Sequence, residues 1–97
     1  MIVSFGDRVT EALFHGAPAA AVRRVPTAIR ARAARKLDML NAAASVQDLR
    51  APPGNRLESL TGDLAGFHSV RVNEQWRIVF RWEADGAHEV RIADYHG

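Results

Sequence analysis

Apolar and polar residues follow two rhythms along this chain, and the change falls near residue 51. On the N-terminal side apolar positions return every three or four residues, the spacing of a helix face. On the C-terminal side they alternate one by one, as a strand with one buried face requires. Ile2-Val3-Ser4-Phe5 precedes both as a short apolar stretch and predicts a first strand. Asp7 predicts the N-cap of a helix reaching Phe14 or His15, with Gly16 just past its end, and Val9 and Leu13 face the core. A longer helix follows from Pro26 in the first turn and from Ile29, Ala33, Leu37, Leu40 and Ala44 at helical spacing. Arg23 and Arg24 precede them, and Arg30, Arg32, Arg35 and Lys36 fall between them. The simplest reading is a solvated polar face; a surface for an acidic partner is the alternative.

Ala51-Pro52-Pro53-Gly54-Asn55 ends the helical region. Arg56 to Leu60 carries a weaker strand signal, and a loop over 61–66 follows. Val70 and Val72 then alternate with Ser69 and Arg71; Trp76, Ile78, Phe80 and Trp82 with Arg77, Val79 and Arg81; Val90 and Ile92 with Glu89, Arg91 and Ala93. Asn73-Glu74 turns the first pair, and Asp85-Gly86 is a two-residue hairpin signal for the second. The sum is an α+β domain, a strand and two helices followed by an antiparallel meander with the helices on one face. Ninety-seven residues make this one domain over 1–97, without internal repeats.

Parity brings in charge. If the even-numbered apolar residues of the meander face the helices, Arg71, Arg77, Arg81 and Arg91 share the opposite face. Like charges set together repel, and Glu89 is the one acid within the three runs to offset them. A phosphate-binding surface accounts for the grouping; an ordinary solvated arginine face is the alternative. The chain is basic through arginine, which supplies twelve of thirteen basic residues at a net charge of +2 and a pI near 9.9. Arginine's planar fork suits phosphate, although a GC-rich genome would impose the same bias. Tyr95 continues the odd parity and could stack a base. His96 is the side chain near it suited to move a proton at neutral pH.

Other chemistry is not indicated. His15, His68 and His88 lack metal-ligand spacing, and no phosphate loop or nucleophile elbow stands out, so neither metal nor cofactor is expected. The absence of cysteine, of an apolar run near the roughly 20 residues that span a bilayer, and of a basic-then-apolar start leads to the expectation of a soluble cytoplasmic protein without membrane contact.

Several stretches together resemble the HigB toxins of bacterial toxin–antitoxin systems, within the RelE superfamily. They are IVSF near the start, ARKLDML in the long helix, APPGNRLESLTGD, SVRVNEQWRIVF and the closing DYH, in family order over almost the whole chain. The resemblance implies a RelE-like α+β fold and a toxin that cleaves messenger RNA in the ribosomal A site. It also implies a HigA-type helix-turn-helix antitoxin, through which alone operator DNA would be reached. The family's terminal motif carries over onto Asp94, Tyr95 and His96, and its QWRI arginine onto Arg77, as catalytic residues. Arg71 matches another basic position, and Arg81, Arg91, Arg56 and Glu58 complete the expected RNA-binding set. Arg71, Arg77 and His96 should converge on one hollow.

This sequence departs from the family at two points. Glu58 stands where some relatives have a histidine and Thr61 where some have a lysine, so positive charge is lost at both. Glu58 could act as a carboxylate base, at the cost of repelling phosphate. Two other readings keep the fold: a ParE-like gyrase poison, a group that generally lacks the terminal histidine, and a member that binds antitoxin without catalysis.

Overall fold

Asp7 starts the first helix as its side chain predicts. Its Oδ1 accepts the Thr10 backbone N–H at 2.8 Å, satisfying one of the free amides of the first turn. The computed structural model, which describes residues 1–95, places α1 at Arg8–Phe14 and α2 at Thr27–Ala42. The strands are β1 (Glu58–Ser59), β2 (Phe67–Arg71), β3 (Trp76–Glu83) and β4 (Gly86–Asp94). They form one antiparallel sheet in the order β1-β2-β3-β4. Short 3-10 turns fill the connections.

Both helices lie on one face, α1 against β4 and α2 across β3 and β4. Ile29, Ala33, Leu37 and Leu40 meet Val70, Ile78, Phe80, Val90 and Ile92 in a cluster from which water is excluded. A buried polar bond ties the layers together: Thr10 Oγ1 on α1 accepts the Ile92 backbone N–H of β4 at 2.8 Å. The α+β architecture read from the sequence is the architecture observed.

Four details differ from the sequence reading. Pro26 caps α2 from outside instead of sitting in its first turn. Ala44 lies beyond the helix and is exposed, because Asp48 Oδ2 draws the backbone amides of Ala44 and Ser45 out of the helical ladder at 2.9 and 3.2 Å. The predicted first strand is reduced to two isolated parallel bridges, Ile2 to Ala87 and Phe5 to Val90, which cover the β4 edge. The last hairpin turns at Ala84-Asp85, one residue early, with Gly86 already paired to Glu83. Gly86 is required there by a φ of 131° and by the Met1 carbonyl, which occupies the space of a Cβ.

The sheet carries an irregularity where Arg81 pairs with His88 and Val79 with Arg91. Glu89, at φ 52°, absorbs the extra residue. Val90 and Ile92 therefore face the helices as parity predicts, while His88 turns to the arginine face despite its even number.

Candidate functional site

On the face away from the helices, Arg71 and Arg77 are cross-strand partners at the last pair before the β2–β3 turn. Directly opposed Cα atoms in such a pair lie about 4.5–5.5 Å apart, so the two side chains leave the sheet from neighbouring positions. They are held differently. Arg77 is only 12% exposed at its side chain. Its Nε donates to Ser69 Oγ at 2.7 Å, and its Nη2 donates to the carbonyls of Arg56 at 2.6 Å and Ser69 at 3.4 Å. Ser69 is itself fully buried. This leaves Nη1 without a hydrogen bond among the described residues. Arg71 makes no side-chain hydrogen bond among them.

The Arg56 carbonyl reaches Arg77 because Arg56 takes a left-handed backbone, φ 41° and ψ 58°, at the end of the Pro53–Asn55 turn. A non-glycine residue in that region costs of order 1–2 kcal/mol, which the bond to a charged donor offsets. Glu58 follows on β1. Its Oε1 sits 3.9 Å from Arg77 Nη2, and its side chain is 58% exposed. The carboxylate therefore borders the guanidinium without being sealed against it.

Asp94 ends β4 opposite Trp76, one residue beyond Ala93, the other cross-strand partner of Arg77. Gln75 organises this end: its Nε2 donates to Asp94 Oδ1 at 3.0 Å, and its carbonyl accepts the Tyr95 backbone N–H at 2.6 Å. Asp94 and Tyr95 are thereby brought to the end of the sheet that carries Arg71 and Arg77. His96, the third member of the expected hollow, lies outside the described residues; Arg71 and Arg77 are cross-strand partners.

The rest of the arginine face is less bare than parity implied. Arg81 is paired with Glu83 and, from Nε at 3.1 Å, with Glu89. Two carboxylates on one guanidinium correct the expectation that Glu89 alone offsets this face. Glu83, just past the alternating run, supplies the second. Val79 is fully buried on the same side, outside the helix-facing cluster. Arg91 stands opposite Val79 and remains unpaired among the described residues. Arg56 lines a shallow hollow of about 350 Å³ with Arg50, Ser59 and His68.

Ser69, Gln75 and Asn55 were not singled out by the sequence. Ser69 had a usable signal: a small hydroxyl on the arginine face, diagonal to Arg77 once the β2–β3 turn fixes the register. Among the described residues no group of three or more His, Cys, Asp or Glu side chains could hold a metal ion, and no helix is long and apolar enough to cross a membrane.

Residues 4–96 match the family model of RelE-like toxins of type II toxin–antitoxin systems of the HigB kind. Toxin HigB-1 of Vibrio cholerae serotype O1 (strain El Tor Inaba N16961) is 50% identical over 60 residues, 62% of this chain and 63% of that protein. An uncharacterized protein of Haemophilus influenzae (strain Rd) is 40% identical over 60 residues, 62% of this chain and 59% of its own. The matched segment thus spans about six-tenths of the length of these curated relatives. With the family model covering nearly the whole length and the fold agreeing, the chain belongs to the HigB-like family of RelE-like toxins.

Proposed function

We propose that this protein is the toxin of a type II toxin–antitoxin pair and that it cleaves messenger RNA in the ribosomal A site, without a cofactor. The observation that carries the reading is the fixed guanidinium of Arg77, locked by Ser69 and the Arg56 carbonyl, with Arg71 across the strand and Asp94 and Tyr95 at the adjoining strand end. A preorganised cation of this kind stabilises charge developing on a phosphate without reorganising during reaction.

In the proposed reaction the ribose 2′-oxygen attacks the adjacent phosphorus and the 5′-oxygen departs. The 2′-hydroxyl proton goes to a base, and the leaving 5′-oxygen takes a proton from an acid. Arg77 carries the charge on the phosphorane, with Arg71 beside it. His96 supplies one of the two proton transfers. Glu58, bordering Arg77 at 3.9 Å, is a carboxylate able to take the 2′ proton in place of the histidine some relatives carry. Tyr95 stacks a base of the message or relays a proton, and Asp94 orients His96. Arg91 and Arg56 extend the RNA contact. Acid–base assistance contributes about 10²–10⁴-fold, so the ribosome, by holding the message, supplies much of the remainder.

A HigA-type helix-turn-helix antitoxin neutralises the toxin and carries it to operator DNA. The test is to induce the protein alone in cells and map message ends. Arg77→Ala and His96→Gln should each abolish cleavage and growth arrest. Undiminished cleavage in both variants would reject the site; inhibited gyrase with intact messages would replace the activity.

A further inference from the structure

The chain has one lysine among its thirteen basic residues, and the fold builds a seat for it. Lys36 Nζ on α2 donates to Asn55 Oδ1 at 2.5 Å. Asn55 is fully buried, and its Nδ2 donates to the carbonyls of Leu49 and Ala51 at 3.1 and 3.2 Å and contacts Met39 Sδ at 3.1 Å. With both ends of the amide engaged, Oδ1 is fixed toward α2 and holds the ammonium in place.

Lys36 lines a cleft of about 460 Å³ between α2 and the β2–β3 turn, together with Arg32, Arg71, Gly54 and Glu74. A volume of this order is within the range of small-ligand sites, about 300–1,000 Å³. Arg32 lies one turn before Lys36 and directs Nη1 at the Val72 carbonyl, 3.4 Å away. Three cations face one carboxylate there, and none of the three cations is in an ion pair among the described residues. Burial and the neighbouring charges of Arg32 and Arg35 depress the Lys36 pKa, the mark of a cation short of counter-charge. Asn55 offers one neutral oxygen, which positions the lysine but does not neutralise it.

The geometry points to a second phosphate subsite: we propose that Arg32, Lys36 and Arg71 bind a backbone phosphate of the RNA next to the one held by Arg77. RNA is favoured over an acidic protein segment by continuity, because Arg71 belongs to both places. It lines the cleft and is the cross-strand partner of Arg77. A strand gripped at Arg77 would pass the end of the sheet at Arg71 and come over the β2–β3 turn onto α2. The inference rests on the reading of Arg77 as a phosphate contact.

The test uses the full-length toxin and a 2′-O-methyl RNA oligonucleotide, which cannot be cleaved. Affinity is measured across a salt series for wild type, Lys36→Gln, Arg32→Gln and Arg77→Ala. Lys36→Gln and Arg32→Gln should each weaken binding several-fold and flatten the log–log salt slope by about 0.7, one phosphate contact on a single strand. Because Lys36 is the one lysine, selective ¹³Cε-lysine labelling gives a single side-chain resonance, which should move on adding the oligonucleotide. Arg32 is exposed, so its variant reports even where Lys36→Gln perturbs folding. A lost slope in Arg77→Ala alone, with a stationary lysine resonance, would overturn the subsite and leave the cleavage reading standing. Unchanged binding and cleavage in Arg77→Ala would reject the cleavage reading, and with it the adjoining phosphate. Unchanged RNA binding in the α2 variants with weakened antitoxin binding would assign the cleft to a protein partner and overturn the proposal.

Discussion

Ser69 and Arg77 are diagonal neighbours across β2 and β3, and Arg77 Nε donates to Ser69 Oγ at 2.7 Å inside the sheet surface. A buried hydroxyl of this kind does not act on substrate; it decides which way the guanidinium points. Ser69→Ala removes the acceptor and leaves a mostly buried charged donor unmatched, at a cost of about 1–3 kcal/mol. We expect urea unfolding to show a stability lower by that amount. Cleavage should also fall about tenfold, equivalent to about 1.4 kcal/mol of lost transition-state stabilisation. Ser69→Thr, which keeps a hydroxyl acceptor, should restore both; full cleavage in Ser69→Ala would not fit a positioning role.

Arg56 separates backbone from side chain. Its carbonyl holds Arg77, while its left-handed φ of 41° is a conformation that glycine adopts without strain. Arg56→Gly should keep the carbonyl in place and leave stability within about 1 kcal/mol of wild type, since relieved strain and added chain entropy oppose one another. RNA affinity should fall and its salt slope flatten by about 0.7 if the side chain meets phosphate. A large loss of stability would mean that the arginine side chain, not the main chain, organises this turn.

Gly86 is fixed from the opposite end of the chain. A Cβ would meet the Met1 carbonyl, and the φ of 131° strains any other residue. That carbonyl accepts the Ala87 N–H at 2.9 Å, and the Val3 N–H donates back to the Ala87 carbonyl at 2.7 Å. Gly86→Ala should therefore release residues 1–5 from β4, costing about 1–3 kcal/mol from strain alone. Hydrogen exchange at the Val3 and Ala87 amides should accelerate more than at Ile78. Equal acceleration at all three would place the damage in the whole sheet.

What could be read in the sequence follows the range of the interactions concerned. α2 was legible because Ile29, Ala33, Leu37 and Leu40 repeat within one helix, and the meander because Trp76, Ile78 and Phe80 alternate within one strand. The last hairpin was misplaced by one residue because Gly86 answers to Met1 and not to a local turn. The arginine face was legible as a face. Its electrostatics were only half legible, since Glu83, past the alternating run, joins the expected Glu89 on Arg81. Ser69 acquires its role from the β2–β3 register. Lys36 reads as one more charge on a polar helix until Asn55 is folded against it.

The lysine also makes the protein's alkaline behaviour specific. Desolvation first, then the charges of Arg32 and Arg35, lower its pKa below the ordinary 10.5. The groups around the ammonium are Asn55, Arg71 and Glu74 besides those two arginines, so one carboxylate opposes three guanidinium groups. In the unfolded chain the ordinary value returns. Between the two values the unfolded chain binds more protons than the folded one, so this residue makes stability rise with pH across that window and level off above 10.5. Below the folded value both states are protonated, and the folded state bears the whole penalty. Lys36→Gln removes the titrating charge while keeping an amide donor for Asn55. The stability difference between Lys36→Gln and wild type should therefore shift in favour of wild type as pH rises toward 10.5. The labelled lysine resonance should titrate below 10.5 in the free protein and move upward when the 2′-O-methyl oligonucleotide is bound, because a phosphate favours the charged form. An unshifted titration in the free protein would mean that neither burial nor the neighbouring arginines weigh on the ammonium.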